Sequence, residues 1–301
     1  MPRDHTRRGY KKAALVLAGS NAAARRGQHS PKLAGLTLPM TALRPRLLLV
    51  LSLFAAGFGE AAERVTRPYK HVVHVHRTDN AQDYHLLFIA PRAMEVVGTD
   101  PEQAWSVVSE FAKKTGAQIA INANFFSKTE SCGVTAGEGH LWTAVYEGCP
   151  MTMAFFRGGA VRIVSGGAKK DPGLPSTVGL LAAVSGRPRL VEDARPSPTM
   201  ERFASIRHPR TALGLRKDGT LVILVADGRR EAALGFTGPE MSEIFIREGV
   251  VDAFNLDGGG STTLYIESEG GIQNKPSDGH ERVVVNQLGF RLKAPGQGAK
   301  P

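Results

Sequence analysis

Asp257 stands at the head of a run, Asp257-Gly258-Gly259-Gly260-Ser261-Thr262-Thr263, in which a carboxylate is followed by three glycines and three hydroxyls. Consecutive glycines cost conformational entropy on folding. The run therefore reads in one of two ways. It is a plain glycine turn, or it is a bare backbone that something must approach closely. In the second case backbone N–H groups and hydroxyls converge beside an acid and form a cradle for phosphate or sugar oxygens. Three further segments end a strand in polar residues that a core does not need. They are Ile121–Phe126 with Asn122 and Asn124, Arg207–Gly214 with Arg210, and Val225–Arg229 with Asp227. Asparagine amides orient hydroxyls, and an arginine fork grips phosphate or carboxylate. Two aspartates, Asp257 and Asp227, suit acid/base or electrostatic work. Each segment also has a plainer reading, since Asp-Gly after a strand is a common turn and Arg210 could pair with a surface acid. His74 and His76 alternate along one strand and could bind a metal, but a half-exposed strand accounts for them, and neither a metal nor another cofactor is assigned. Glu138 and His140 lie in an irregular loop that could enter the site.

The elements that must position these groups are mostly strands. Val72–His76, His85–Ala90, Ala117–Phe126, Val250–Leu256, Thr262–Ile266 and Arg282–Leu292 carry strand patterns. Met151–Val164 reads as a hairpin turning at Gly158-Gly159. Thr211–Arg216 and Thr220–Ala226 form another around Lys217-Asp218-Gly219. Two helices have start and stop signals. The first is capped by Asp100, with Pro101 at its first position, Gln103 closing a capping box and Gly116 ending it. The second runs Gly238–Glu248 with Thr237 as N-cap, Glu240 closing the box and Gly249 beyond its end. Many strands and few helices, without regular βα alternation, imply an α+β class. The expected architecture is a single domain over 63–293 with a mixed sheet and a few flanking helices.

The beginning of the chain reads differently. Arg44 and Arg46 precede an apolar stretch, Leu47–Phe58, of 12 residues, and small residues follow. Residues 40–62 thus have the anatomy of a secretory signal, cut after Gly57 or Ala61, and the apolar run is short for a membrane span. Residues 1–39 read as an extension ahead of the true start at Met40, and the tail 294–301 is expected to be disordered. The net charge of +10 at first suggests a nucleic-acid partner. Ten of the 38 Lys/Arg and two of the 28 acids precede residue 63, however, leaving 28 against 26 and a net of only +2. A nucleic-acid partner is therefore excluded, and so is a membrane span after signal removal. An exported protein, periplasmic or extracellular, with two cysteines in one irregular stretch, Cys132 and Cys149, is expected to bridge them.

In their order along the chain, INANFF, HPRTALGL, VADGR, TGPEMSEI and VVDAFNLDGGGSTT resemble the phosphodiester glycosidases, over roughly residues 70–292. The resemblance implies a hydrolase that cleaves a sugar-1-phosphodiester of the N-acetylglucosamine-phosphate or exopolysaccharide-linked type. Its partner would be a carbohydrate phosphodiester or polysaccharide. It also implies the site residues: Asp257 and Asp227 as carboxylates, Arg210 on phosphate, and Asn122, Asn124, Gly258, Gly259 and Ser261 on substrate. The first motif departs from the family around Ala123 and Asn124, where glycine is frequent. Ser127–Pro150 matches no family motif and is expected to shape the entrance. Two other functions compete. A non-catalytic polysaccharide-binding or exopolysaccharide-assembly protein could keep the same residues. A phosphate-loop ATPase uses similar acid-glycine-hydroxyl loops but needs a second loop and a longer chain.

Overall fold

The computed structural model describes residues 61–79, 81–142, 148–166, 177–198 and 205–292, all within one compact unit, Ala55–Pro301. The expected extension 1–39, all but the last two residues of the expected signal, and the tail 294–301 lie outside the described residues. The central strands carry apolar side chains on both faces, and alternation assigns each residue to a side. In Leu221–Ala226, the side chains of Leu221, Ile223 and Val225 join Val72, Leu87 and Leu213 in one buried cluster. Val222, Leu224 and Ala226 join Leu86 and Ala212 in another. An unbroken apolar strand is what a sheet covered on both sides demands.

That strand lies inside an eight-stranded sheet. Its order is Ala62–Tyr69, Val72–Asp79, Gln82–Ile89, Leu221–Ala226, Arg210–Arg216, Val250–Asn255, Arg189–Glu192 and Arg195–Pro196. The first cluster packs beneath two five-stranded sheets. One is ordered Gly271–Ile272, Leu264–Ile266, Ile119–Asn122, Gln287–Arg291, Glu95–Gly98, and the other contains Met151–Phe156 and Leu180–Gly186. The second cluster is covered by helix α2, Gly238–Arg247, through Met241, Ile244 and Phe245. Fully burying a side chain such as Phe245 contributes roughly 1.5–3 kcal/mol. α2 starts at the expected capping box: Thr237 accepts from the Glu240 amide, and Glu240 accepts from the Thr237 amide at 2.9 Å.

Three expectations need correction. The fold is mostly β, with two α-helices among the described residues, although α+β remains broadly consistent. The sheets are not mixed, because every described strand pair is antiparallel. Where helix α2 carries the chain across from Leu221–Ala226 to Val250–Asn255, the two strands run parallel but are not neighbours, because Arg210–Arg216 lies between them and pairs antiparallel with both. The first helix is also interrupted. Pro101–Gln103 is a single 3₁₀ turn, and helix α1 begins only at Val108 and ends at Thr115, with Gly116 left-handed at φ 68°. Between them Trp105 takes φ 65° and Ser106 pairs with Val284, the Ser106 amide donating to the Val284 carbonyl at 3.2 Å. A distant segment thus captures the backbone that the local signals assign to a helix. Gln103, meant to close the capping box, is left with its Oε1 buried and unpartnered.

The registers place four chain ends at one edge. Arg210 pairs with Ala226, Ala226 with Tyr84 and Ala212 with Asn255. Residues 208–210, Asp227 and Asp257 therefore emerge together, and Asn122 at the end of its own strand meets them from the second sheet.

Candidate active site

Asp257 is held by its backbone from three sides. The Leu256 amide donates to the Thr211 carbonyl at 2.8 Å, and the Asp257 amide donates to the Ala123 carbonyl at 2.9 Å. The Asn122 Nδ2 donates to the Asp257 carbonyl at 2.7 Å. The carboxylate turns back onto its own loop, accepting the Gly258 amide at 2.9 Å and the Ser261 hydroxyl. Burial pushes the Asp257 carboxyl up to about 6, against the opposing pull of Ser261, the Gly258 amide and Arg282. An acid in that range can change protonation near neutral pH, which is what acid/base or charge-stabilising chemistry requires.

The bare glycines are explained by what lies over them. A side chain on Gly258 would come within 2.6 Å of the Pro209 carbonyl oxygen. Gly259 is left-handed at φ 63°, and a Cβ there would come within 2.9 Å of Arg229 Nη2. At Gly260 a Cβ would collide with Arg282 Nη2 and Asp278 Oδ2. The loop is therefore neither a plain turn nor an open row of amides. The Gly258 amide is taken by Asp257, the Gly259 amide by the Pro209 carbonyl at 2.9 Å and the Ser261 amide by the Gly258 carbonyl at 3.2 Å. The groups that approach it are arginines. Arg282 chelates Asp278 at 2.6 and 2.9 Å and reaches the Ser261 hydroxyl at 3.5 Å. Arg229 is exposed, takes φ 61° and reaches Ser277 Oγ at 3.5 Å. His208 stands in the field of Arg210 and Arg229. Burial and those two cations lower its pKa, and its Nδ1 is buried without a hydrogen-bond partner.

The other expected site residues are present at this edge, but their side chains are largely committed to the protein. Asn122 Oδ1 accepts the Thr211 hydroxyl at 2.7 Å and the Thr263 amide at 3.1 Å. Asn124 donates to the Cys132 carbonyl at 3.0 Å, the Val134 carbonyl at 3.2 Å and Thr135 Oγ1 at 3.0 Å, and accepts from the Ser185 amide at 2.8 Å. Both asparagines brace the site rather than offer amides to a substrate. Arg210 is buried. Its guanidinium donates to the Phe236 carbonyl at 3.0 Å and the Ile206 carbonyl at 2.6 Å, and burial lowers it to about 10, so it remains charged at neutral pH. Asp227 is buried and its oxygens are used by the Lys275 amide at 3.0 Å, Asn274 Nδ2 at 3.2 Å and Arg230 at 2.7 Å. Burial raises its pKa in spite of these donors.

Cys132 and Cys149 are joined by a disulfide and both are buried, as expected. The loop they close is tied to Asn124, not to Asp257. His140 is exposed and its Nδ1 lies 3.1 Å from Asp100 Oδ2, which places the GEGH segment against the chain before α1, not in the site. A cavity of about 660 Å³ lined by Met94, Phe155, Phe156, Val161, Leu221 and Phe290 opens at the far end of the strands from Asp227 and includes none of the expected site residues. Four residues over or beside the loop went unassigned from sequence: Arg229 and His208, which stand inside VADGR and HPRTALGL, and Arg282 and Asp278, which carry no local signal.

An acid poised near neutrality thus sits on a glycine loop with arginines over it, at one edge of an antiparallel β scaffold. Residues 115–291, more than half of the chain, match the phosphodiester glycosidase family. The chain belongs to that family. It is 35% identical over 189 residues to the SPbeta prophage-derived uncharacterized protein YomE of Bacillus subtilis (strain 168), covering 60% of this chain and 29% of that one. It is 38% identical over 87 residues to the N-acetylglucosamine-1-phosphodiester alpha-N-acetylglucosaminidase of Bos taurus, covering 29% of this chain and 16% of that protein. The chain thus spans less than a third of each of these two relatives. Among solved structures, the zebrafish N-acetylglucosamine-1-phosphodiester alpha-N-acetylglucosaminidase catalytic domain, auto-inhibited by its pro-peptide, superposes with a TM-score of 0.61 at 17% identity. That match covers 78% of this chain and 83% of the other. A putative exported protein from Burkholderia pseudomallei K96243 superposes with a TM-score of 0.53 at 15% identity, covering 70% of this chain and 74% of that one. At these identities the two structures share the fold.

Proposed function

We propose that the chain is an exported hydrolase that cleaves the glycosidic bond of a sugar-1-phosphodiester, of the N-acetylglucosamine-phosphate or envelope-polysaccharide type. The observation that carries this reading is the Asp257 carboxyl, held near 6 beside Ser261 and beneath Arg229 and Arg282. In such a substrate the leaving group is a phosphate monoester, a weak base that departs with the C1–O electron pair and needs little protonation. The demand on the protein is then positive charge at the phosphate and negative charge near C1. Arg229 and Arg282 supply the first. Asp257 in its ionised form supplies the second, either stabilising the developing sugar cation or taking a proton from the water that adds to C1. Arg210 and Asp227 act behind these groups. Arg210 fixes the segment carrying His208 and Pro209, and Asp227 fixes Asn274, which in turn bonds the Thr262 carbonyl and the Leu264 amide.

The test is turnover of an aryl-phosphate- or uridine-diphosphate-linked N-acetylhexosamine by the purified protein. Release of free sugar by the parent, abolished in Asp257→Asn, is the expected result. A panel of sugar-1-phosphodiesters that bind but are never cleaved would overturn the hydrolase and favour the binding protein. Export rests on the basic-apolar-small order of residues 40–62 and on the Cys132–Cys149 bridge. N-terminal sequencing of the exported protein should find cleavage near Gly57 to Ala61.

A further inference from the structure

His74 and His85 are 1% and 2% exposed, in the sheet face that elsewhere carries Val72, Leu87, Leu213, Ile223 and Val225. A half-exposed strand does not account for them. On the strand Val72–Asp79, His74 and His76 share one face, and on Gln82–Ile89, Asp83 and His85 do. His76 pairs directly with His85 across the two strands. One ligand atom from each of His76, Asp83 and His85 lies within 4.8 Å of the other two.

The hydrogen bonds behind this trio impose an order on the rings. Glu269 accepts from the Thr66 hydroxyl and from His74 Nδ1, the latter at 2.7 Å. With its Nδ1 proton given to a carboxylate, His74 presents Nε2 as an acceptor, and His85 Nδ1 lies 3.0 Å from it. His85 then donates through Nδ1 and keeps the Nε2 lone pair. A carboxylate that orients an imidazole through its other nitrogen is the usual outer support of a metal ligand. On the open side His76 Nε2 lies 2.8 Å from Asp83 Oδ1.

We propose that His76, Asp83 and His85 bind one divalent cation of the zinc class, with water completing its shell and with Glu269 and His74 orienting His85. Two imidazoles and one carboxylate suit such an ion. The His76 and His85 rings stack with centroids 4.3 Å apart, so the ion is captured when they turn from the stack into a fork and the His76–Asp83 hydrogen bond gives way to a shared ion. Three carboxylates stand against two cations nearby. Arg230 contacts Asp83 at 3.5 Å and Asp227 at 2.7 Å, and Arg64 lies opposite His76 on the outer strand, while Asp83, Asp227 and Glu269 oppose them. The ion is a clamp, not a reactant. The Asp83 carbonyl accepts the Asp227 amide at 2.9 Å, so the cation fastens the strand end that carries the second acid of the site.

The test uses the full chain, purified without a histidine tag and stripped by chelation, titrated with Zn²⁺ alone against a chromophoric competitor. The parent should bind one equivalent more than His76→Asn or Asp83→Asn and should gain thermal stability on binding. Glu269→Gln should weaken binding about 10- to 100-fold through misorientation of His85. Co²⁺ in place of Zn²⁺ should give a visible absorption band in the parent that His76→Asn removes. His76 and Asp83 are part-exposed, so a folding failure of a His85 variant leaves the decision with these two. The proposal falls if the parent takes up no stoichiometric Zn²⁺, or if both variants, with parental circular dichroism, bind it as the parent does. Binding is read without turnover, so an inactive parent that holds zinc counts against the glycosidase alone.

Discussion

Replacing Asp257 by Asn separates what the carboxylate does for the fold from what it does for catalysis. Asn is nearly isosteric, still accepts the Gly258 amide through its oxygen and can donate to Ser261. The parent carboxyl is raised from 3.8 to about 6. A group with a folded pKa above its unfolded value binds protons more readily in the folded state, so the parent loses stability as pH rises through that window. At 1.36 kcal/mol per unit the loss approaches about 3 kcal/mol above pH 6. Asp257→Asn lacks this penalty. It should match the parent near pH 4 and exceed it at pH 7, by several degrees in Tm at roughly 2–4 °C per kcal/mol for a domain of this size. Its turnover of a sugar-1-phosphodiester should fall by a factor on the order of 10² or more. Calorimetric scans across pH 4–8 and initial rates on the same samples are the assay. A variant less stable than the parent by the same amount at every pH would refute the burial penalty. A variant as active as the parent would remove Asp257 from the chemistry.

In the parent, kcat/KM should fall as pH drops below about 6, because the ionised carboxylate is the working form, and Asp257→Asn should flatten that limb. Arg282→Lys keeps a charge near Asp257 but loses the fork on Asp278, so it should raise KM for phosphodiester substrates more than it lowers kcat. Asn124→Ala removes the acceptor of the Ser185 amide and the side-chain donor to the Cys132 carbonyl at once, while the Val134 carbonyl keeps the Ser185 hydroxyl. A loss of about 1–3 kcal/mol in denaturant unfolding is expected, with activity declining only as folded protein is lost. Reducing the Cys132–Cys149 bridge, of sequence separation 17, should cost about 3 kcal/mol, read as a lower urea midpoint.

Short-range signals were legible in the sequence because the physics behind them spans only a few residues. Thr237 and Glu240 close a capping box three positions apart, and Gly249 takes φ 75° where a helix must end. The hairpin around Asp218-Gly219 and the strand-loop-strand at Asp257 announce themselves in the same way, and the ordered motifs were enough to indicate the family. The sequence also brought Asn122, Asn124, Arg210, Asp227 and Asp257 forward as a set. Only the tertiary structure decided what each of them touches. Asn124 looked free for a ligand until Ser185, 61 residues away, and the disulfide loop consumed its amide. Arg210 is buried with its guanidinium on two carbonyls, while Arg229 and Arg282 stand over the glycines. The helix expected from Asp100 gave way to a bridge with Val284, and a histidine pair on one strand became an array completed by His85 and Glu269, 195 residues from His74. Burial and pairing between distant segments set these outcomes, including the raised pKa of Asp257. None of them is encoded in the residue's own neighbours.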